Sequence, residues 1–153
     1  MTGNKRTVRA RDVMVRDLVT VAPETPILDV HRLFVEEEIH GAPVVGEDGI
    51  VRGVISALDL ARVVRDELEP DAGRAGAPLA EVTAADAMTR ELVMVAPDTS
   101  IEELARIMLD QHVHRVLVGA DRVLEGVVTT FDVLRAVAGD IAPSAKEPAR
   151  ARG

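Results

Sequence analysis

The chain contains one seven-residue passage twice, and that duplication limits what it can fold into more than any other feature. Gly53-Val54-Ile55-Ser56-Ala57-Leu58-Asp59 returns 73 residues later as Gly126-Val127-Val128-Thr129-Thr130-Phe131-Asp132. Upstream the register is 74, and there residues 13–45 and 87–119 share 12 identities in 33 ungapped positions. A turn one residue shorter in the second half accounts for the change of offset. The sequence therefore predicts two copies of one supersecondary unit rather than a single continuous sheet.

The order of elements within each copy is legible from periodicity and punctuation. In the first, Leu18–Val21 reads as a brief strand, and Thr25-Pro26 as an N-cap with proline in the first helical position. Ile27, Val30, Leu33 and Phe34 then fall on one helical face up to about Glu38. Gly41–Val45 and Ile50–Ile55 read as strands joined by a hairpin turn at residues 46–49, and a second helix is expected from Ser56 to about Leu68. In the second copy Thr99 is the expected cap, with Glu102 completing a capping box. Ile101, Leu104, Ile107 and Met108 supply the core face, strands follow at 115–118 and 123–128, and the last helix spans 130–138. The unit is β-α-β-β-α. Expected boundaries are a disordered basic tail over residues 1–11, domains at 12–69 and 80–139, a Pro/Gly-rich linker at 70–79 and a C-terminal tail at 140–153.

Composition excludes several classes. Phe34 and Phe131 are the sole aromatic residues, so the core must be aliphatic, with Met88, Met94 and Met108 as packing residues. Cysteine is absent, which removes disulfides, thiolate nucleophiles and Cys-based metal sites. No apolar run reaches membrane-spanning length, and the first seven residues lack the apolar block of a signal peptide; a soluble cytoplasmic protein is expected. The net charge of −8 is uneven: residues 1–11 carry four basic side chains and no acidic one, while residues 12–139 carry 11 basic against 24 acidic. Such a body repels a phosphate backbone and has no stacking platforms, so no nucleic-acid partner is expected.

The repeated passage carries two readings. Ser56 and Thr129 stand where a strand enters a helix, with Asp59 and Asp132 three residues on. A helix N-terminus with a hydroxyl and a carboxylate can hold a phosphate and the hydroxyls of a ribose. The same pattern is a capping box that stabilises the helix with no ligand at all. His112 and His114 could face one way along an extended segment, but no third ligand lies nearby, and no metal is expected. No nucleophile elbow, Walker loop, zinc-protease helix or dinucleotide fingerprint occurs, and no carboxylate is paired with a base; the chain is not expected to be an enzyme.

The order Val-Met, Leu-Val-x-Val-Ala-Pro-x-Thr, helix, short strand, Gly-Val-[Ile/Val]-[Ser/Thr]-x-x-Asp, present twice over residues 12–138, resembles the cystathionine-β-synthase (CBS) domain. The resemblance implies an α+β pair of tandem units packed sheet to sheet about a pseudo-twofold axis. It implies a regulatory module without chemistry of its own, needing no cofactor. Clefts between the two domains would hold an adenosine ligand such as AMP, ADP, ATP or S-adenosylmethionine, and binding would be signalled to an effector protein. By the same resemblance Asp59 and Asp132 receive the ribose hydroxyls, while Ser56 and Thr129 face the phosphate, with Thr130 adding a hydroxyl where the first copy has Ala57. Thr20, Met94 and Ala42 line the region of the base, and His114-Arg115 matches a phosphate-contacting pair. The first copy departs here, having His40-Gly41, so its arginine is missing. A ligand-free dimerisation or scaffold protein of the same fold is the alternative. Either way a homodimer, head-to-head or head-to-tail, is expected, with Leu60, Val64, Leu134 and Val137 as candidates for the buried face.

Overall fold

A computed structural model describes residues 7–68 and 78–139. The tail through residue 6, the stretch 69–77 that holds most of the expected linker, and the C-terminal tail from 140 lie outside the described residues. The elements are α1 (Ala10–Val13), α2 (Ile27–Glu37), β1 (Gly41–Val45), β2 (Val51–Ser56), α3 (Ala57–Leu68), a 3₁₀ turn at Leu79–Glu81, α4 (Ala84–Ala87), β3 (Met94–Val95), α5 (Ile101–Gln111), β4 (Arg115–Ala120), β5 (Val123–Thr129) and α6 (Thr130–Val137). Two mixed α+β units result, one per repeat.

Each unit borrows the lead-in of the other repeat. Among the described residues, one compact unit holds 19–68 and 78–92, and the other joins 7–18 to 93–139. In the Val19–Leu92 unit, Thr89 and Val54 exchange backbone hydrogen bonds of 2.9 Å each way. In the other unit Val15 takes the same place against Val127, at 2.9 and 3.0 Å. The pairing extends along both segments: Ala84 N–H donates to Thr25 O and Ala10 N–H to Thr99 O, both within 2.8 Å. The expected disorder of residues 1–11 is corrected for the last of them, since Ala10 is fully buried in the core of its unit. Pro78 and Leu79, expected in the linker, open the 3₁₀ turn, and Leu79 packs against the first repeat.

The borrowed segments also correct the expected helix starts. Thr25 and Thr99 give their carbonyls to the lead-ins, so the caps move on by one residue. Pro26 becomes the N-cap of α2, and Ser100 caps α5 by accepting from the N–H of Glu103 at 3.2 Å. Both helices end on a non-glycine residue in the left-handed region, Glu38 (φ 56°) and His112 (φ 57°).

The sheets differ between the repeats for one local reason. In the second, β3-β4-β5 is three-stranded, with β3 parallel to β4 and β4 antiparallel to β5. In the first, β1-β2 is a two-stranded hairpin, and the strand expected at Leu18–Val21 shrinks to a single bridge between Val21 and Val44. Leu117 donates its N–H to Val93 O at 3.0 Å. Pro43 occupies the matching position of β1 and has no N–H to give, so that rung cannot form. The cores are aliphatic as expected: Val30, Val44 and Ile55 lie in one, with Phe34, and Leu104, Val116, Val118 and Val128 in the other.

Candidate functional site

The turn from β5 into α6 assembles the richest cluster of polar groups that the sequence singled out. Arg115 and Thr129 are direct cross-strand partners in the β4–β5 pair. Thr129 caps α6 in both directions: its Oγ1 accepts from the N–H of Asp132 at 3.2 Å and donates to Asp132 Oδ2 at 3.0 Å. The N–H of Thr129 donates to the same Oδ2 at 2.8 Å. Asp132 is 5% exposed, and its Oδ1 receives Nη2 of Arg135 at 3.3 Å. Oδ2 therefore serves the helix start, and Oδ1 takes Arg135.

Arg115 is half-buried, and among the described residues no hydrogen bond or ion pair holds its guanidinium. Desolvation alone pulls its pKa below the ordinary arginine range. It stays charged at any physiological pH, because arginine does not deprotonate in proteins. A charged guanidinium presents its donors in a rigid fork that matches carboxylate or phosphate oxygens. Thr130 does not add a second hydroxyl at the cap of α6. Its Oγ1 donates to the carbonyl of His114 at 3.0 Å, beside its own N–H at 2.9 Å, and so pins the His114-Arg115 strand start to the helix start. The His114 side chain is exposed.

The first repeat has the same frame and different contents. Ser56 N–H and Oγ donate to Asp59 Oδ2 at 2.8 and 3.0 Å, and Asp59 is again 5% exposed. Gly41 pairs with Ser56 where Arg115 pairs with Thr129. Asp59 Oδ1 takes Nη1 of Arg62 at 3.4 Å and also Oγ1 of Thr89 at 3.3 Å. Thr89 comes from the borrowed lead-in, and its counterpart Val15 has no hydroxyl. Sequence reading missed Thr89, because its nearness to Asp59 arises only from the exchange of lead-ins. Beside this turn a hollow of about 650 Å³ opens between α2 and α3, lined by His31, Phe34, Val35, Glu38, Ile39, His40, Ala57 and Leu60.

The other residues implied by the resemblance scatter. Thr20 is exposed and Met94 half-buried on β3, at matching positions of the two repeats. Ala42 is 2% exposed and packs into the first repeat's core, so it offers a ligand its main chain only. Among the described residues no three His, Asp or Glu side chains gather into a metal site. No described helix is long and apolar enough to cross a membrane.

A duplicated α+β unit with a hydroxyl and a carboxylate at each strand-to-helix turn places the chain in the class of tandem-repeat domain pairs. The CBS domain model matches residues 10–66 and 84–139, and the chain belongs to the CBS domain family. Its backbone superimposes with a TM-score of 0.72 on the crystal structure of CBSX2 in complex with AMP, at 29% identity over 86% of this chain and 96% of that one. The CBS domain pair of protein MJ0100, in complex with 5-methylthioadenosine and S-adenosyl-L-methionine, shares the fold with a TM-score of 0.69, at 21% identity over 88% of this chain and 98% of that one. The inosine-5'-monophosphate dehydrogenase of Halobacterium salinarum is 31% identical over 133 residues, which are 85% of this chain but 24% of that enzyme. The chain thus spans about a quarter of the dehydrogenase.

Proposed function

We propose that this CBS pair is a regulatory receptor for adenosine nucleotides that passes the occupancy of its site to an effector protein. The observation that carries the reading is the placing of Arg115, Thr129 and Asp132 on one strand-to-helix turn, with the arginine unpaired among the described residues. Asp132 Oδ1 accepts from the ribose hydroxyls, since an ionised carboxylate suits a vicinal diol. Arg115 and the N-terminus of α6 hold the phosphate. By the family resemblance Thr20 and Met94 are each the residue proposed for the base in their own repeat. AMP in the CBSX2 structure supports the choice of ligand class.

Phe131, Leu134 and Val137 lie exposed along α6, as do Val64 and Leu68 on α3. They supply the apolar area of a homodimer, and Leu60 leaves the candidate set because it packs against its own core. The alternative, a scaffold that binds no ligand, draws on the capping boxes, which account for Asp59 and Asp132 without a nucleotide. Titration calorimetry of AMP into nucleotide-stripped protein separates the two. Asp132→Asn keeps size and some capping ability but loses the anionic acceptor. It should weaken AMP by about tenfold or more, since charged hydrogen bonds contribute roughly 1.5–3 kcal/mol. Unchanged affinity in a folded variant returns Asp132 to capping and leaves the scaffold reading ahead.

A further inference from the structure

We infer that the two repeats are unequal receptors, with Gly41 and Thr89 closing the first repeat to phosphate-bearing ribose ligands while the second accepts them. This rests on the nucleotide reading above and adds which repeat binds and which residues decide it.

A carboxylate offers four lone-pair positions. Asp59 has four donors on it: the N–H and Oγ of Ser56, Nη1 of Arg62 and Oγ1 of Thr89. Asp132 has three among the described residues: the N–H and Oγ1 of Thr129 and Nη2 of Arg135. The difference is the hydroxyl of Thr89, because Val15 stands at its place in the other unit and bonds Val127 through backbone alone. A ribose diol reaching Asp59 must displace one more donor than a diol reaching Asp132. The phosphate end differs in the same sense. Arg115 faces Thr129 across the β4–β5 pair, whereas Gly41 faces Ser56 and brings no charge. The hollow beside Ser56 is lined by Glu38, His31 and His40 and by no lysine or arginine. Missing charge and a filled carboxylate act together against the same ligand.

Both differences can be reversed at single positions. A Cβ on Gly41 would meet Ile55 O at 3.4 Å, an ordinary contact, so a side chain can start there without moving the backbone. Calorimetric titration of AMP into the full chain, stripped of nucleotide, reads the number of sites directly. Wild type should show one strong site per chain, and Asp132→Asn should weaken it by about tenfold or more while Asp59→Asn leaves it unchanged. Gly41→Arg/Thr89→Val should raise the stoichiometry from one to two for AMP. Thr89→Val alone should strengthen the weaker site for adenosine by about three- to tenfold, the range of one net hydrogen bond. Val15→Thr should weaken the strong site by a similar factor. Thermal melts of every variant keep loss of folding apart from loss of binding. Two equal wild-type sites, or a folded double variant still at one site, would overturn the inference and leave the nucleotide reading standing. A wild type that binds neither AMP nor adenosine would overturn both.

Discussion

Adding one methyl group at Gly53 should undo the seam that joins a lead-in to its host repeat. A Cβ there would lie 2.5 Å from the carbonyl oxygen of Thr89 and 2.9 Å from Sδ of Met88. The first distance is roughly an ångström short of an ordinary contact, and a backbone oxygen cannot swing aside as a side chain can. Overpacking of this kind costs roughly 1–3 kcal/mol. Moving Thr89 also strains its two backbone bonds to Val54, each worth about 0.5–1.5 kcal/mol. The reduced freedom of alanine in the unfolded chain returns about 0.4–1 kcal/mol. The net loss for Gly53→Ala is about 2–3 kcal/mol. At Gly126 the nearest atom is the flexible Sδ of Met14 at 2.6 Å, and the carbonyl of Val15 is farther off at 3.0 Å. Gly126→Ala should therefore cost about 1 kcal/mol less than Gly53→Ala. Urea unfolding followed by circular dichroism reads both values, since a slope of roughly 1–3 kcal/mol per molar converts them into clear midpoint shifts. Two variants within about 0.5 kcal/mol of wild type, or Gly126→Ala the more damaging, would refute the packing argument.

The remaining predictions concern helix ends, a turn charge and assembly. Glu38→Gly and His112→Gly should each stabilise the chain by up to about 1 kcal/mol in the same unfolding assay, because both positions hold a side chain at positive φ. The N–H of Ile50, aided by Arg52, holds the Asp48 carboxyl below its ordinary pKa. A depressed pKa stabilises above the unfolded value and stops doing so as pH falls through the folded one. Asp48→Asn should therefore lower the melting temperature at pH 7 and converge with wild type below about pH 3. Light scattering at micromolar concentration should give twice the 16.4 kDa chain mass, and Leu134→Asp/Val137→Asp should restore the monomer value. A wild-type mass near 16.4 kDa would count against the dimer.

Much of the fold is legible because it is written twice. Helical spacing of Ile27, Val30 and Phe34, repeated by Ile101, Leu104 and Met108, locates both core-facing helices, and all six are buried. The capping box at Thr129 and Asp132 reads directly from residue types three apart. What the sequence conceals is partnership at long range. Ala10–Val15 and Ala84–Thr89 match each other along the chain, so similarity alone cannot say which repeat each joins. The one-residue shift of the α2 and α5 caps follows from the same exchange. Pro43 is visible in the sequence, but its effect on the expected strand at Leu18–Val21 appears only once Leu117 is seen donating from the matching position. The asymmetry at Gly41 could be read in advance; that of Thr89 could not, because its partner Asp59 lies 30 residues away on another element.

The most direct test of the receptor reading compares AMP with adenosine on wild type and Arg115→Ala by titration calorimetry at two salt concentrations. The two ligands share a ribose and a base, so their difference isolates the phosphate that Arg115 is proposed to hold. On wild type, AMP should bind more tightly than adenosine and lose affinity as salt screens the contact. In Arg115→Ala, AMP should fall by about tenfold or more toward the affinity of adenosine and lose most of its salt dependence, while adenosine itself is unchanged. Equal weakening of both ligands, or an AMP affinity indifferent to the loss of Arg115, would contradict the account.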